Sequence, residues 1–301
     1  YIHYMRQKKQ ISHFWLYNIL PEKISGLLQL IRFEKPIGFF LLMWPCWFAL
    51  AVFSVKEIKW YILFFFGSFF MRSAGCIIND YFDRFIDIKI ERTSKRPITS
   101  GAINSLEAFL FMVLLLFFSL LILINFNIMA IIVSLASLPL ILIYPLMKRF
   151  TNWPQLILGV TFSWGIFISA AQFQHIYSLE TLILYLGCIF WTLGYDTIYA
   201  YQDRIDDIKI NLKSTAILFG NNGKYLVMIF YSLFILSILI LNLMMSLSFI
   251  NSIILIMILI SLLFFLSKWN MSSKKSCENY FKYNNYLGLI IFLYLITSSN
   301  V

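Results

Sequence analysis

Charged side chains are scarce in this sequence. They make up 13% of 301 residues, about half the share usual in a soluble domain. Apolar residues make up 60%, and the mean hydropathy is +0.80. One soluble core cannot hide that much apolar surface, so a soluble class is excluded and a polytopic membrane protein is left. Cysteine and histidine are also few. Cys46, Cys76, Cys188 and Cys277 follow no metal-ligand spacing and read as small core residues. His3, His13 and His175 form no cluster, so neither a zinc nor a haem site is expected. No cleavable signal peptide is expected, because Arg6, Lys8, Lys9 and Lys23 interrupt the first 30 residues. The net charge of +10 speaks to membrane topology and lipid contact rather than to nucleic acid.

The long apolar runs are continuous, not alternating, which excludes a transmembrane barrel. Nine are long enough to span a bilayer: 36–55, 60–78, 107–125, 128–147, 154–172, 179–199, 224–244, 249–267 and 284–299. Of the 24 Lys and Arg residues, only Lys56 and Lys59 fall in loops of one side. Short basic loops stay cytoplasmic, so the N-terminus is expected inside and the C-terminus outside. Trp44, Trp60, Tyr61, Tyr144, Trp153 and Trp269 lie near span ends as interface anchors.

Acidic residues are the rarest charge, 14 in all, and they concentrate at one feature. Asn79-Asp80-Tyr81-Phe82-Asp83-Arg84-Phe85-Ile86-Asp87 follows the second span directly. The stretch Asp83–Ile90 returns at Asp203–Ile210, an offset of 120 residues, with six of eight positions identical. Both copies fall on the expected cytoplasmic side. If the second span continues as a helix, Asn79, Asp83 and Asp87 share a face, with Asp80 beside them. Asp203 and Asp207 stand in the same i, i+4 relation, and Asp196 lies two turns earlier. Asp206 breaks the face and reads as solvated. Sets of oxygen ligands suit hard divalent cations, Mg²⁺ above all, which keep positions for water and substrate phosphate. Arg92, Lys95 and Arg96 follow the first copy; Lys209 and Lys213 lie in or after the second. Metal and bases together would neutralise a diphosphate and stabilise it as a leaving group. In a membrane bundle this points to a lipid diphosphate whose apolar chain lies among the spans. Phe70, Tyr81, Tyr195, Tyr199 and Tyr201 are aromatic candidates for stabilising an allylic cation.

Asn79-Asp80-x-x-Asp83-x-x-x-Asp87 resembles the first aspartate-rich motif of the UbiA superfamily of intramembrane prenyltransferases, and Asp203-x-x-x-Asp207 resembles the second. The likeness runs from about Arg32 to the last span. Within the superfamily it is nearest to the 4-hydroxybenzoate polyprenyltransferase branch of ubiquinone synthesis. That rests on Arg32-Phe33-Glu34-Lys35-Pro36-Ile37-Gly38 with Trp44-Pro45, Met71–Cys76, Glu91-Arg92-Thr93 with Arg96-Pro97 and Ser100-Gly101, Tyr144–Arg149, and Gly194–Thr197 with Lys213–Ala216.

The resemblance implies an all-α polytopic fold, nine transmembrane helices around a central cavity, with a lateral opening to lipid. Residues 1–31 would form a cytoplasmic segment and 32–301 a single prenyltransferase domain. It implies Mg²⁺ held by Asn79, Asp80, Asp83, Asp87, Asp203 and Asp207. Asp80, Asp83, Asp203 and Arg149 are the residues expected to carry catalysis. Lys35, Arg72, Arg92, Arg96, Lys148, Arg149, Tyr195, Asp196 and Lys213 are the expected substrate contacts. The substrates implied are an all-trans-polyprenyl diphosphate and 4-hydroxybenzoate, whose ring would be alkylated ortho to the hydroxyl. The aromatic carboxylate needs a cation; Arg32, Lys35, Arg72 and Arg149 are all open candidates, and Asp196 would orient a base or tune the metal site. Another acceptor (a dihydroxynaphthoate, homogentisate or haem) is the alternative within the superfamily. A secondary transporter is the alternative outside it, disfavoured because the acids sit at span ends rather than at the midplane. The expected location is a bacterial inner membrane, multi-pass, with the mitochondrial inner membrane as alternative. Prenyl chain length and oligomeric state stay open.

Overall fold

The computed structural model describes residues 14–88, 93–246 and 248–298, the side chain of Asn18 aside, and every regular element among them is helical. A short helix α1 (Glu22–Leu30) leads into α2 (Ile37–Val52). Then come α3 (Ile58–Asp87), α4 (Ser105–Leu123), α5 (Ile128–Phe150), α6 (Pro154–Gln172) and α7 (Leu179–Ala200). A one-turn α8 (Arg204–Lys209) precedes α9 (Thr215–Met244) and α10 (Phe249–Ser267), and α11 (Lys274–Lys282) and α12 (Asn284–Ser298) follow. Each of the nine expected spans meets a helix.

Seven of these helices, α3 to α7, α9 and α10, are long and apolar enough to cross a membrane. The other two are shorter than expected: α2 has 16 residues and α12 has 15. They reach only about 24 and 22 Å, against a hydrocarbon core of about 30 Å. On length alone, the count of nine crossings is not confirmed among the described residues.

Where helices break follows from the sequence. Pro139 and Pro145 lack an N–H and interrupt the ladder of α5. Its second half becomes a short helix (Leu138–Ile143), a 3₁₀ turn (Tyr144–Leu146) and a final turn (Met147–Phe150). This bend brings Tyr144, Lys148 and Arg149 toward the end of α3. By contrast α3 contains no proline and runs unbroken for 30 residues, about 45 Å. At the start of α4, Asn104 and Glu107 form a reciprocal cap: Glu107 N donates to Asn104 Oδ1 (2.8 Å) and Asn104 N donates to Glu107 Oε2 (2.9 Å).

The main core joins α2, α7, α9 and α12 around Trp44, Phe48, Trp191 and Phe234. Close approach of α7 to α9 needs glycine: a Cβ at Gly194 would meet Tyr231 at 2.7 Å. A second core packs α1 on α3 and α4 through Leu30, Ile31, Ala74, Ile77 and Ile103.

Long-range bonds sort into the two ends of the bundle. At one end Asn127 Nδ2 donates to the carbonyls of Ala171 and Gln172 (3.0 Å each), and Phe53 stacks on His175 at 4.4 Å. At the other end Lys148 pairs with Asp83, Lys213 N donates to Lys148 O (2.9 Å), and Lys274 pairs with Asp206 at 3.4 Å. Both acidic motifs therefore share one end, together with most of the basic residues.

Candidate active site

The continuous helix α3 carries the whole first motif. Asp80, Asp83 and Asp87 are 0%, 1% and 3% exposed. Burying carboxylates is costly unless they are paired, and three separate segments supply the partners. Arg32 Nη2 reaches Asp80 Oδ1 at 2.6 Å. Arg96 Nη1 lies 3.0 Å from Asp80 Oδ1 and 2.7 Å from Asp87 Oδ2. Lys148, delivered by the bent α5, is bonded to Asp83 Oδ2. Asn79 Nδ2 also donates to Asp83 Oδ2, at 3.2 Å. Arg32 holds φ at +60°, a left-handed conformation that costs a non-glycine residue about 1 kcal/mol. Its ion pair with Asp80 lies within the same turn that ends α1.

The second motif is built differently. Helix α7 ends at Ala200; Asp203 caps α8, and Asp207 lies on it. Both are half-buried. The chain then turns at Asn211, φ +57°, with Leu212 N donating to Asp207 O at 2.9 Å. Lys213 Nζ donates to Phe150 O (3.1 Å) while its backbone bonds Lys148 O. The end of α5 is thus the bridge between the two motifs. Asp206 faces out and pairs with Lys209 (3.3 Å) and Lys274, as its break from the shared face suggests.

Do these residues fit a divalent cation? Oδ2 of Asp80 and Oδ1 of Asp83 are buried with no hydrogen-bond partner among the described residues. Such orphaned acceptors are what a hard cation satisfies. No three acids among the described residues are close enough to hold an ion unaided. The expected six-ligand clamp is therefore not assembled here, because basic side chains occupy the carboxylates. Substrate phosphate or water would have to complete the coordination, as Mg²⁺ commonly requires. The residues fit the group on that basis.

Deeper in the bundle, two turns before Asp80 on α3, lies Arg72. Its Nη1 donates to Cys76 Sγ at 2.8 Å, and its guanidinium lies 5.8 Å from the Phe162 ring. Its Nε is buried without a partner, and it makes no ion pair among the described residues. Cys76, Tyr144, Tyr199, Asp80 and Asp196 interact with it electrostatically. Arg72, Asn79, Tyr144, Asp196 and Tyr199 all sit inside the bundle yet keep part of their surface open. Arg72, Tyr144, Asp196 and Tyr199 lie close together, and with Asn79 they form the candidate lining of a recess beside the acids. A separate apolar cavity of about 610 Å³ lies between α9, α10, α11 and α12, lined by Met257, Phe265 and Tyr280 among others. Tyr199 packs on Phe281, ring centroids 4.9 Å apart.

Several expected contacts are placed elsewhere. Tyr195 is 1% exposed, packs on Trp191 and Phe281, and accepts a hydrogen bond from Thr192 Oγ1 (3.1 Å); it is core, not recess. Lys35 is exposed in the turn before α2. Arg149 lies at the rim, donating to Phe82 O (3.0 Å) and 3.8 Å from Asp83 Oδ1, which suits an outer phosphate contact better than the buried aromatic end. Arg84 does not pair with the ligand acids; it lies over the rings of Tyr81 and Phe85 at 4.1 and 4.4 Å. Arg92 falls outside the described residues. Sequence reasoning missed Tyr144 as a wall of the recess. The signal for it was its position four residues before Lys148, at a proline that bends the helix.

A model of the UbiA prenyltransferase family matches residues 42–295. A 4-hydroxybenzoate octaprenyltransferase from Yersinia pseudotuberculosis serotype IB (strain PB1/+) is 40% identical over 283 residues, covering 92% of this chain and 96% of that protein. A 4-hydroxybenzoate geranyltransferase 1 from Lithospermum erythrorhizon is 35% identical over 291 residues, covering 96% and 94%. Among solved structures, a UbiA homologue from Archaeoglobus fulgidus bound to GPP and Mg²⁺ superposes with a TM-score of 0.66 at 17% identity, covering 92% of this chain and 100% of that one. With an aspartate-lined recess in a helical membrane bundle and a match over most of its length, the chain belongs to the UbiA prenyltransferase family.

Proposed function

We propose that the chain transfers the polyprenyl group of an all-trans-polyprenyl diphosphate to the 3-position of 4-hydroxybenzoate, in ubiquinone biosynthesis, with Mg²⁺ as its metal. The observation that carries the acceptor is Arg72. An arginine inside a membrane bundle with an unsatisfied donor and no paired carboxylate is a costly arrangement. It suits a site kept for an anionic ligand, here the aromatic carboxylate. The names of the relatives, octaprenyl- and geranyltransferases of 4-hydroxybenzoate, support the same acceptor and leave the chain length open.

Asn79, Asp80, Asp83 and Asp87 with Asp203 and Asp207 would hold the metal, which neutralises the diphosphate as it departs. Arg32, Arg96 and Lys148 now pair with Asp80, Asp83 and Asp87 of the first motif. With metal bound, these cations would lie beside the diphosphate oxygens and bind them, with Lys213 and Arg149 around the rim. The C1–O bond breaks and its electron pair leaves with the diphosphate. The allylic cation stays in the apolar recess, facing the rings of Tyr144, Tyr199 and Phe162. Arg72 fixes the acceptor so that the carbon ortho to the hydroxyl attacks C1; the ring proton is then lost. Asp196 balances the charge of Arg72 when no acceptor is bound.

The unit from Arg32 onward is read as one prenyltransferase domain in a bacterial inner membrane, with both motifs on the cytoplasmic side. The test is a membrane assay with radiolabelled 4-hydroxybenzoate and a long-chain prenyl diphosphate, with and without EDTA. Transfer that requires Mg²⁺ supports the reading. Transfer to another aromatic acceptor but not to 4-hydroxybenzoate would redirect it, and a metal-independent ion flux would overturn it.

A further inference from the structure

The glycines of the spanning helices divide into two kinds. Most are packing glycines, where a Cβ would strike a neighbouring helix. At Gly159 it would meet the Ile189 carbonyl oxygen at 3.1 Å, at Gly194 the Tyr231 ring at 2.7 Å, and at Gly288 the Trp44 ring at 2.5 Å. Gly75 is different: a Cβ there meets nothing within 4 Å. Arg72 and Asn79, which share its face of the helix, are polar and only partly open, so this is not a bare lipid-facing stretch. Helix geometry places Gly75 three residues after Arg72 and four before Asn79, one turn from each. Arg72 and Asn79 are separated by about 10 Å along the axis. The open space at Gly75 therefore lies between the unpaired guanidinium and the head of the metal-binding motif.

We infer that Gly75 is a specificity-determining residue: the aromatic ring of the acceptor lies across it, carboxylate toward Arg72 and hydroxyl edge toward Asn79. This rests on the proposed aromatic-acid acceptor and adds where the ring sits. A glycine in mid-helix lowers helix stability relative to alanine. Nothing in the packing requires it here, so the space itself is the reason for it. In this placement the carbon ortho to the hydroxyl points toward the diphosphate end, and the ring edge nearest α3 meets backbone rather than a side chain. Any side chain at position 75 would push the ring away from Arg72 or out of line with C1.

The test compares wild type, Gly75→Ala and Gly75→Leu for KM toward 4-hydroxybenzoate, KM toward the prenyl diphosphate, kcat, and Tm in detergent. Because a Cβ meets no neighbour, Gly75→Ala is expected to hold or raise Tm. It should raise the acceptor KM about tenfold, the size of effect one misplaced carbon has in a fitted pocket. The prenyl diphosphate KM should stay within about twofold, since that substrate is held by the acids and bases beyond Asn79. Gly75→Leu should remove detectable transfer to 4-hydroxybenzoate. A stable Gly75→Ala protein with wild-type acceptor KM overturns the inference, as does one in which only the prenyl diphosphate KM rises. If Gly75→Leu fails to fold, the alanine variant still decides. If the wild type prenylates no aromatic acid at all, the proposed function falls and the slot falls with it. If the wild type does so and Gly75→Ala is unchanged, only the slot falls.

Discussion

Asp83 and Asp203 head matching stretches of sequence, yet one lies within the end of a 30-residue helix and the other caps a helix of six. The first motif is almost wholly buried and tied by Arg32, Arg96 and Lys148 to three other parts of the chain. The second is half-buried, follows a helix break, and lies beside the Lys213–Lys148 backbone bond and the Asp206–Lys274 pair. Near-identical residues thus give the same charge pattern in two mechanical settings. What differs is the element in front of each: an unbroken α3, and an α7 that stops at Ala200. The first motif is both a ligand set and a structural node. The second is a ligand set carried on a short arm.

That contrast can be broken in several ways. The largest effect should be common to both motifs. Asp83→Asn and Asp203→Asn should each lower kcat about 10³-fold, because either half of a charge-neutralising site is useless alone; a prenyl-transfer assay at saturating Mg²⁺ reads this. The motifs should then part company on stability. Asp80→Ala strands Arg32 and should cost about 3 kcal/mol, the scale of removing one partner of a buried pair. Asp203→Ala should cost about 1 kcal/mol, an ordinary substitution; Tm in detergent compares them. Arg72→Met should raise the acceptor KM about 100-fold, the loss of a charge-assisted contact of between 2 and 3 kcal/mol, and leave the prenyl diphosphate KM unchanged. Smallest of all, Asp206→Asn should change kcat by less than about twofold, since exposed pairs such as Asp206–Lys209 contribute little.

Much of this was legible in residues alone. The apolar runs located every helix that crosses, and the acids Asn79–Asp87 and Asp203–Asp207 announced themselves by their rarity. Spacing was enough to place Asn79, Asp83 and Asp87 on one face, because α3 has no proline to interrupt it. Spacing could not show that Arg32 would reach Asp80 across 48 residues, since that depends on α1 packing against α3 and α4. Nor could composition separate Tyr195, a core ring, from Tyr199, which lines the recess four residues later on the same helix. Of the four cations open for the aromatic carboxylate, only burial told them apart. Lys35 and Arg149 are at the surface, Arg32 is taken by Asp80, and Arg72 remains. Gly75 was invisible for a simpler reason: an empty space has no sequence signature.

The central claim is that two motifs so differently built act as one metal–diphosphate site. Titration of purified protein with Mg²⁺ in the presence of a non-hydrolysable prenyl diphosphate analogue tests it most directly, in wild type, Asp83→Asn and Asp203→Asn. The account predicts tight, Mg²⁺-dependent binding in the wild type and its loss in both variants alike. If Asp203→Asn, correctly folded, binds the analogue with wild-type affinity and metal dependence, the two halves do not form one site and the account is wrong.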